Sequence, residues 1–227
     1  MSTWVSLAPV KIVDDFGTMA RQDGDPVPHE HQFYRACLLG LFSLDLTTSG
    51  TFFNGGRVGY RNLDEVRVKM ATEKRLAEVK VHGQPAFRLP QGDRTQRVSC
   101  LVRALGELQG GAKLTLHYTD VTPALVFAAV TRGGNHPFYR VIGINGQRTP
   151  QIVVDALKEV LRVYRDQILS DVFIGWARGF EDDQRAGVES LSMEDRSQRN
   201  FRWGHPREIM TELSSELTKE HARGWYD

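Results

Sequence analysis

Eight residues carry the charge or the backbone freedom needed to hold a polyanion: Arg57, Arg61, Arg94, Arg97, Arg103, Gly110, Gly111 and Lys113. Arg57 and Arg61 lie in "GTFFNGGRVGYR" (50–61), interleaved with Phe52, Phe53 and Tyr60. Cations meet phosphates while aromatic faces stack bases, and neither contact depends on base identity. Gly110, Gly111 and Lys113 follow the end of a helical pattern. Glycine lets main-chain N–H groups come close to a ligand, and successive N–H groups cradle phosphate oxygens. Each feature also has a purely architectural reading. The glycines stop a helix, Arg94 and Arg97 snorkel over a core, and Phe52 and Phe53 close one.

Catalytic arrangements are thinner. His29 and His31 of "HEH" share one side of an extended segment, but no third or fourth ligand accompanies them, so no metal site is expected. His117 and Asp120 with Ser99 or Ser43 make no triad, because no nucleophile-elbow glycines flank either serine. "GGNHPF" (133–138) lacks the lysine and hydroxyl of a phosphate-binding P-loop. The expectation is a binding protein, not an enzyme, with no catalytic residue, cofactor or metal.

These residues sit in a chain of 227 residues, 41% apolar and 25% charged, with a net charge of +1. The balance hides an asymmetry. Residues 57–103 hold eleven basic and five acidic side chains, a net of +6, while 1–56 and 178–227 each come to −3. One positive stretch between acidic ends suits a polyanion. No apolar run reaches the roughly 18 residues of a membrane span, and the N-terminal residues do not read as a secretory signal. Two cysteines without a CxxC spacing point to a reducing cytoplasm.

The elements that must position the cations follow from periodicity. "FYRACLLGLFSLDL" (33–46) alternates, with Tyr34, Ala36, Leu38, Gly40, Phe42, Leu44 and Leu46 on one face, and predicts a strand. Residues 51–92 read as a long loop with short extended pieces at 80–82 and 86–89. Val98, Leu101, Val102, Leu105 and Leu108 predict a helix over 94–108. "AKLTLHYT" and "ALVFAAVT" predict strand pieces, as does 139–144. Thr149 as cap with Pro150 at the first position predicts the start of a second helix, and "DVFIGWA" (171–177) predicts a buried strand. The expected class is α+β, an antiparallel sheet with helices on one face, as in a ferredoxin-like or RNA-recognition-motif core. The expected division is a palm over 1–185 and a polar tail over 186–227 with one weak helix near 206–222.

Three blocks resemble the DevR-type Cas-seven family, the backbone subunits of type I CRISPR Cascade complexes. They are "PHEHQFYRACLLGLFSLDLTTSGTF" with "GYRNLD", "LVRALGELQGGAKLTLHYTDVTPALVFAAVTRGGNHPF", and "ALKEVLRVYRDQILSDVFIGWARGF". The resemblance covers residues 5–185 in the family's order. It implies a modified RNA-recognition-motif palm with inserted finger and thumb segments. It also implies stacking of copies along a CRISPR RNA, contacts with other Cascade subunits, and display of the guide for pairing with target DNA. The family's first strand and helix have no counterpart in the chain, so the implied palm lacks its first βα unit. Two other readings remain: a truncated or split relative that only contacts other subunits, and a metal-dependent RNA nuclease.

Overall fold

The structure, a computed structural model, describes residues 1–54, 62–110, 114–194 and 200–227. It is a mixed α+β chain in two compact units. One unit comprises Met1–Ser43, Gly133–Asp166 and Glu181–Leu191; the other comprises Leu44–Arg132, Gln167–Phe180 and Ser192–Asp227. Strands β1–β12 and helices α1–α6 are numbered along the chain. Among the described residues no helix is long and apolar enough to cross a membrane.

In the first unit, β1 (Val5–Ser6) pairs antiparallel with β4 (Leu38–Leu39). β2 (Val13–Met19) and β3 (Val27–Phe33) form a hairpin in register from Val13↔Phe33 to Met19↔Val27. Most of its side chains face water, Phe16 being 76% exposed. A third pair joins β9 (Ile142–Ile144) to β10 (Pro150–Ile152). Its connection is shaped by Asn145, whose Oδ1 accepts from the amides of Gln147 at 2.9 Å and Thr149 at 3.0 Å. Helix α4 (Val154–Val163) buries Leu157 and Val160, and α5 (Asp182–Glu194) buries Val188 and Leu191. Gln184 of α5 ties to the hairpin, accepting from the Ile152 amide at 2.8 Å and donating to the Pro150 carbonyl at 2.9 Å.

The second unit holds the larger core. Its central strand β11 (Val172–Trp176) is buried at all five positions, as an uncharged "VFIGW" run requires. β11 runs antiparallel to β8 (Leu125–Ala128) and parallel to β12 (Phe201–Gly204). Parallel neighbours need a crossover connection, and the intervening chain carries α5. Two helices supply the rest of the core. Val98 and Val102 of α2 (Gln91–Leu105) cluster with Ile209, Met210 and Leu213 of α6 (Pro206–Glu216) and with Phe173 of β11. Each such burial contributes about 1.5–3 kcal/mol. Close approach of α6 to β11 depends on Gly175, where a Cβ would stand 2.6 Å from the Pro206 Cα. Helix α6 opens with His205 as cap. Its Nδ1 accepts from the Arg207 amide at 3.3 Å, and the Glu208 carboxylate accepts from the His205 amide at 3.0 Å. This reciprocal pair satisfies two otherwise orphaned donors.

A second sheet in this unit has the order β5-β7-β6, from Thr51–Phe53, Gln84–Arg88 and Ala77–Val81. The β6–β7 hairpin turns through His82 (φ 49°) and Gly83 (φ 78°). A two-residue turn with both φ positive matches the right-handed twist of the strands it joins. Helix α1 (Glu65–Glu73) starts at Asp64, whose carboxylate accepts from the Arg67 amide at 2.8 Å. A single helical turn, α3, covers Leu114–His117.

Several expectations are corrected. The strand over 33–46 is not one element: β3 ends at Phe33, β4 is two residues, and among the described residues no strand pairs with 42–46. The alternation itself survives, with Phe42, Leu44 and Leu46 half-buried and Ser43 and Asp45 exposed. Period-two exposure reports extended backbone, but a strand also needs a neighbour. The loop 51–92 contains a three-stranded sheet and α1. "AKLTLHYT" contributes a helical turn where a strand was expected. Thr149 and Pro150 belong to a hairpin, and the helix starts at Val154. The polar tail is not peripheral: Ile209, Met210, Leu213, Leu217 and Tyr226 are core residues. The strands expected at "DVFIGWA" and "ALVFAAVT" are β11 and β8.

Candidate nucleic-acid interface

Helix α2 carries three of the eight residues, and the structure separates them. Arg94 is buried, 2% exposed. Its Nε donates to the Ser49 carbonyl at 2.8 Å. Its Nη2 lies 3.1 Å from the Leu46 carbonyl, 2.9 Å from that of Thr47 and 2.9 Å from that of Tyr226. Nη1 donates to Gln91 Oε1 at 3.0 Å, and the guanidinium lies 5.5 Å from the centre of the Tyr226 ring. Burial pushes the Arg94 guanidinium down from its ordinary value, Arg88 nearby adds to this, and Asp227, Tyr226 and Asp45 oppose it. Arginine keeps its charge at neutral pH regardless. Arg94 therefore faces carbonyl oxygens inside the protein and is not available in a surface groove. Its place in the sequence, four residues before the buried Val98, allowed either orientation.

Arg97 and Arg103 are exposed. They sit six positions apart, about 120° around the helix at 3.6 residues per turn. They do not form one point of charge but flank the solvent side of α2, and neither is in an ion pair among the described residues. Beyond the helix, Gly110 has φ 138°, and a Cβ there would meet no described residue within 4 Å. Among the described residues, its backbone is open on the side where a side chain would stand. Arg57, Arg61, Gly111 and Lys113 lie outside the described residues, as does Tyr60.

The turn before β5 is built with care. Asp45 accepts from the Thr47 amide (2.9 Å) and hydroxyl (2.8 Å), and from the Thr48 amide (3.3 Å) and hydroxyl (2.5 Å). Burial acts to raise the Asp45 carboxyl, but these bonds outweigh it and hold it below its ordinary value. In the sheet that follows, register places Phe52 opposite Phe87. Alternation then puts Phe52, Phe87, Pro85, Glu78 and Lys80 on one face, while the buried Thr51, Ala86 and Val81 lie on the other. An aromatic pair flanked by Glu78 and Lys80 was not foreseen as a unit. The alternation of "AEVKV" and "QPAFR" about His82–Gly83 is the signal that marks it.

His29 and His31 stack edge to face in β3, with ring centres 4.7 Å apart. Among the described residues no group of three or more His, Cys, Asp or Glu is placed to hold a metal ion. Asp120 serves a turn, accepting from the Thr122 amide at 2.8 Å and hydroxyl at 2.7 Å. Cys37 and Cys100 are free thiols.

Comparison of the chain with known protein families, with curated proteins and with solved structures finds no match in any of the three.

Proposed function

We propose that the chain is a guide-RNA-binding backbone subunit of a type I CRISPR interference complex, of the DevR-type Cas-seven family. In this reading it is not an enzyme. It acts in the cytoplasm, stacks with copies of itself and other Cascade subunits, and holds CRISPR RNA for pairing with target DNA. The finer fold assignment, a modified RNA-recognition-motif palm, belongs to the same reading. Support for it comes from the three sequence blocks and from the packing of α2 and α6 with β11.

The observation that carries the RNA-binding reading is the solvent face of α2. Arg97 and Arg103 stand there without ion-pair partners among the described residues, in the most basic stretch of the chain, ahead of Gly110, whose missing Cβ would meet no described residue within 4 Å. Such cations gain affinity by releasing counterions from phosphates, without regard to base identity. Base pairing then supplies sequence choice, as in RNA-guided effectors generally. Arg94 leaves the set of proposed contacts, because its donors are spent inside the protein.

The test is RNA binding across salt concentrations with guides of unrelated sequence. Each phosphate contact on a single strand contributes about −0.7 to the slope of log K against log salt. Raising salt fourfold then weakens binding about 2.6-fold per contact, so a variant lacking Arg97 and Arg103 should lose about a sevenfold share of the salt effect. Equal slopes in the variant and the parent chain would remove these two residues from the interface, and salt-insensitive binding would remove the reading.

A subunit-contact role without RNA has its own supporting observation. The β2–β3 hairpin leaves Val13 (55% exposed), Phe16 (76%) and Met19 (54%) in water. An isolated two-stranded hairpin is marginal, and a partner surface would stabilise it. Co-purification with other subunits but no RNA favours this second reading.

A further inference from the structure

The strongest unused group is the buried charge of Arg94. It contacts three separate parts of the second unit. The turn 46–50 offers the carbonyls of Leu46, Thr47 and Ser49, α2 offers Gln91, and the last residues offer the Tyr226 carbonyl and ring. The turn and the arginine interlock sterically as well. Gly50 has φ 71°, and a Cβ there would stand 2.7 Å from Arg94 Cγ. On the other side, Tyr226 is fully buried, and its hydroxyl lies 3.3 Å from the Leu217 carbonyl at the end of α6. The 3-10 turn Glu220–Trp225 leads straight into it, with Ala222 fully buried.

A guanidinium among main-chain carbonyls differs from an ion pair in one respect. Among the described residues no carboxylate forms an ion pair with it, although Asp227 and Asp45 favour its charge from a distance, so its burial depends on several weak acceptors being present together. Removing the tail carbonyl and the aromatic face would leave a desolvated cation with fewer partners. That cation would draw in water or leave its site, and the carbonyls of 46–49 would lose their donor. We propose that the last residues act as a strap: docking of Glu220–Tyr226 fixes the turn 46–50, and with it the start of β5, through Arg94 as the positioning residue. The inference stands independently of the RNA-binding reading, because every observable in it belongs to the free protein.

Amide hydrogen exchange on the 227-residue chain tests it. The Thr51 amide bonds to the Thr48 carbonyl at 3.0 Å and reports the turn. The amides of Ala222 and Tyr226 bond to Lys219 at 3.1 Å and Arg223 at 3.0 Å and report the strap. The amides of Val172–Trp176 in β11 are the reference. Tyr226→Ala also removes a core side chain, so it should speed exchange at Thr51 about tenfold or more beyond any rise in the β11 reference, as local opening does. Arg94→Lys keeps a charge but replaces the planar fork with a point ammonium. In that background Thr51 should already exchange fast, and adding Tyr226→Ala should change it by less than about twofold, because the two residues act in series. An unchanged Thr51 rate in Tyr226→Ala overturns the proposal, as does a full second increment in the Arg94→Lys background. A rise at Thr51 no larger than that in β11 marks general destabilisation and also counts against it. If Arg94→Lys fails to fold, the unmutated chain in graded urea decides: Thr51, Ala222 and Tyr226 should open as one unit with the same denaturant dependence, and separate openings refute the strap.

Discussion

Two arginines one turn apart on α2 should respond oppositely to the same substitution. Arg94→Ala removes the donor from the carbonyls of Leu46, Thr47, Ser49 and Tyr226. Bonds to a charged group contribute about 1.5–3 kcal/mol each, so losing even two of them costs about 3 kcal/mol. Lost contact with the Tyr226 ring adds to this. Arg97→Ala removes an exposed side chain that forms no ion pair among the described residues and should stay within about 0.5 kcal/mol of the parent. Urea unfolding followed by tryptophan fluorescence reads the difference, since Trp225 neighbours Tyr226 and packs against the core cluster. The Arg94 variant should lower the midpoint substantially at unchanged slope, and the Arg97 variant should not. In RNA binding the order reverses for the salt slope, which Arg97→Ala alone should reduce. Equal stabilities for the two variants would refute the reasoning, because they would mean that the carbonyl cage around Arg94 contributes nothing beyond what water supplies.

Glycine positions give a paired test. Gly175→Ala drives a methyl against the Pro206 backbone and should destabilise by about 1–3 kcal/mol, whereas Gly92→Ala meets open space in the first turn of α2 and should stabilise by about 0.4–1 kcal/mol; thermal unfolding of both checks this. His205→Ala removes the reciprocal cap of α6 and should cost about 1 kcal/mol, read as a lower urea midpoint; an unchanged midpoint would show the cap to be idle. Burial depresses the His136 imidazole below its ordinary value, while hydrogen bonds to the Phe42 backbone and to its own backbone oppose the shift, and among the described residues its Nδ1 has no partner. The unfolded chain then binds the proton more readily, so stability should fall as pH drops below about 6.5, the ordinary histidine value. His136→Asn should remove that part of the decline, and an identical pH profile for both chains would contradict it.

Local chemistry made much of the architecture readable. The segment "DVFIGWA" announced β11, the stripe through Val98 and Val102 announced α2, and the apolar segment "ALVFAAVT" announced β8. Those signals are short-range and survive whatever packs around them. Helix α1 was missed because its exposed apolar residues Val66, Val68 and Met70 make no single stripe, leaving the Asp64 cap as its only signature. The Thr149-Pro150 pair imitated a helix start, since the same dipeptide also suits the strand side of a turn organised by Asn145.

For the site, composition alone determined where positive charge is concentrated and that glycine follows α2. It could not determine which cations face water. Arg94, Arg97 and Arg103 are identical in chemistry and share one helix, and their difference arises from residues 45 to 132 positions away in the chain. The turn 46–49 and the tail carbonyl of Tyr226 close over Arg94, while Arg97 and Arg103 stay exposed. Burial of a charge is a property of its surroundings, and those surroundings exist only once distant segments have been brought together.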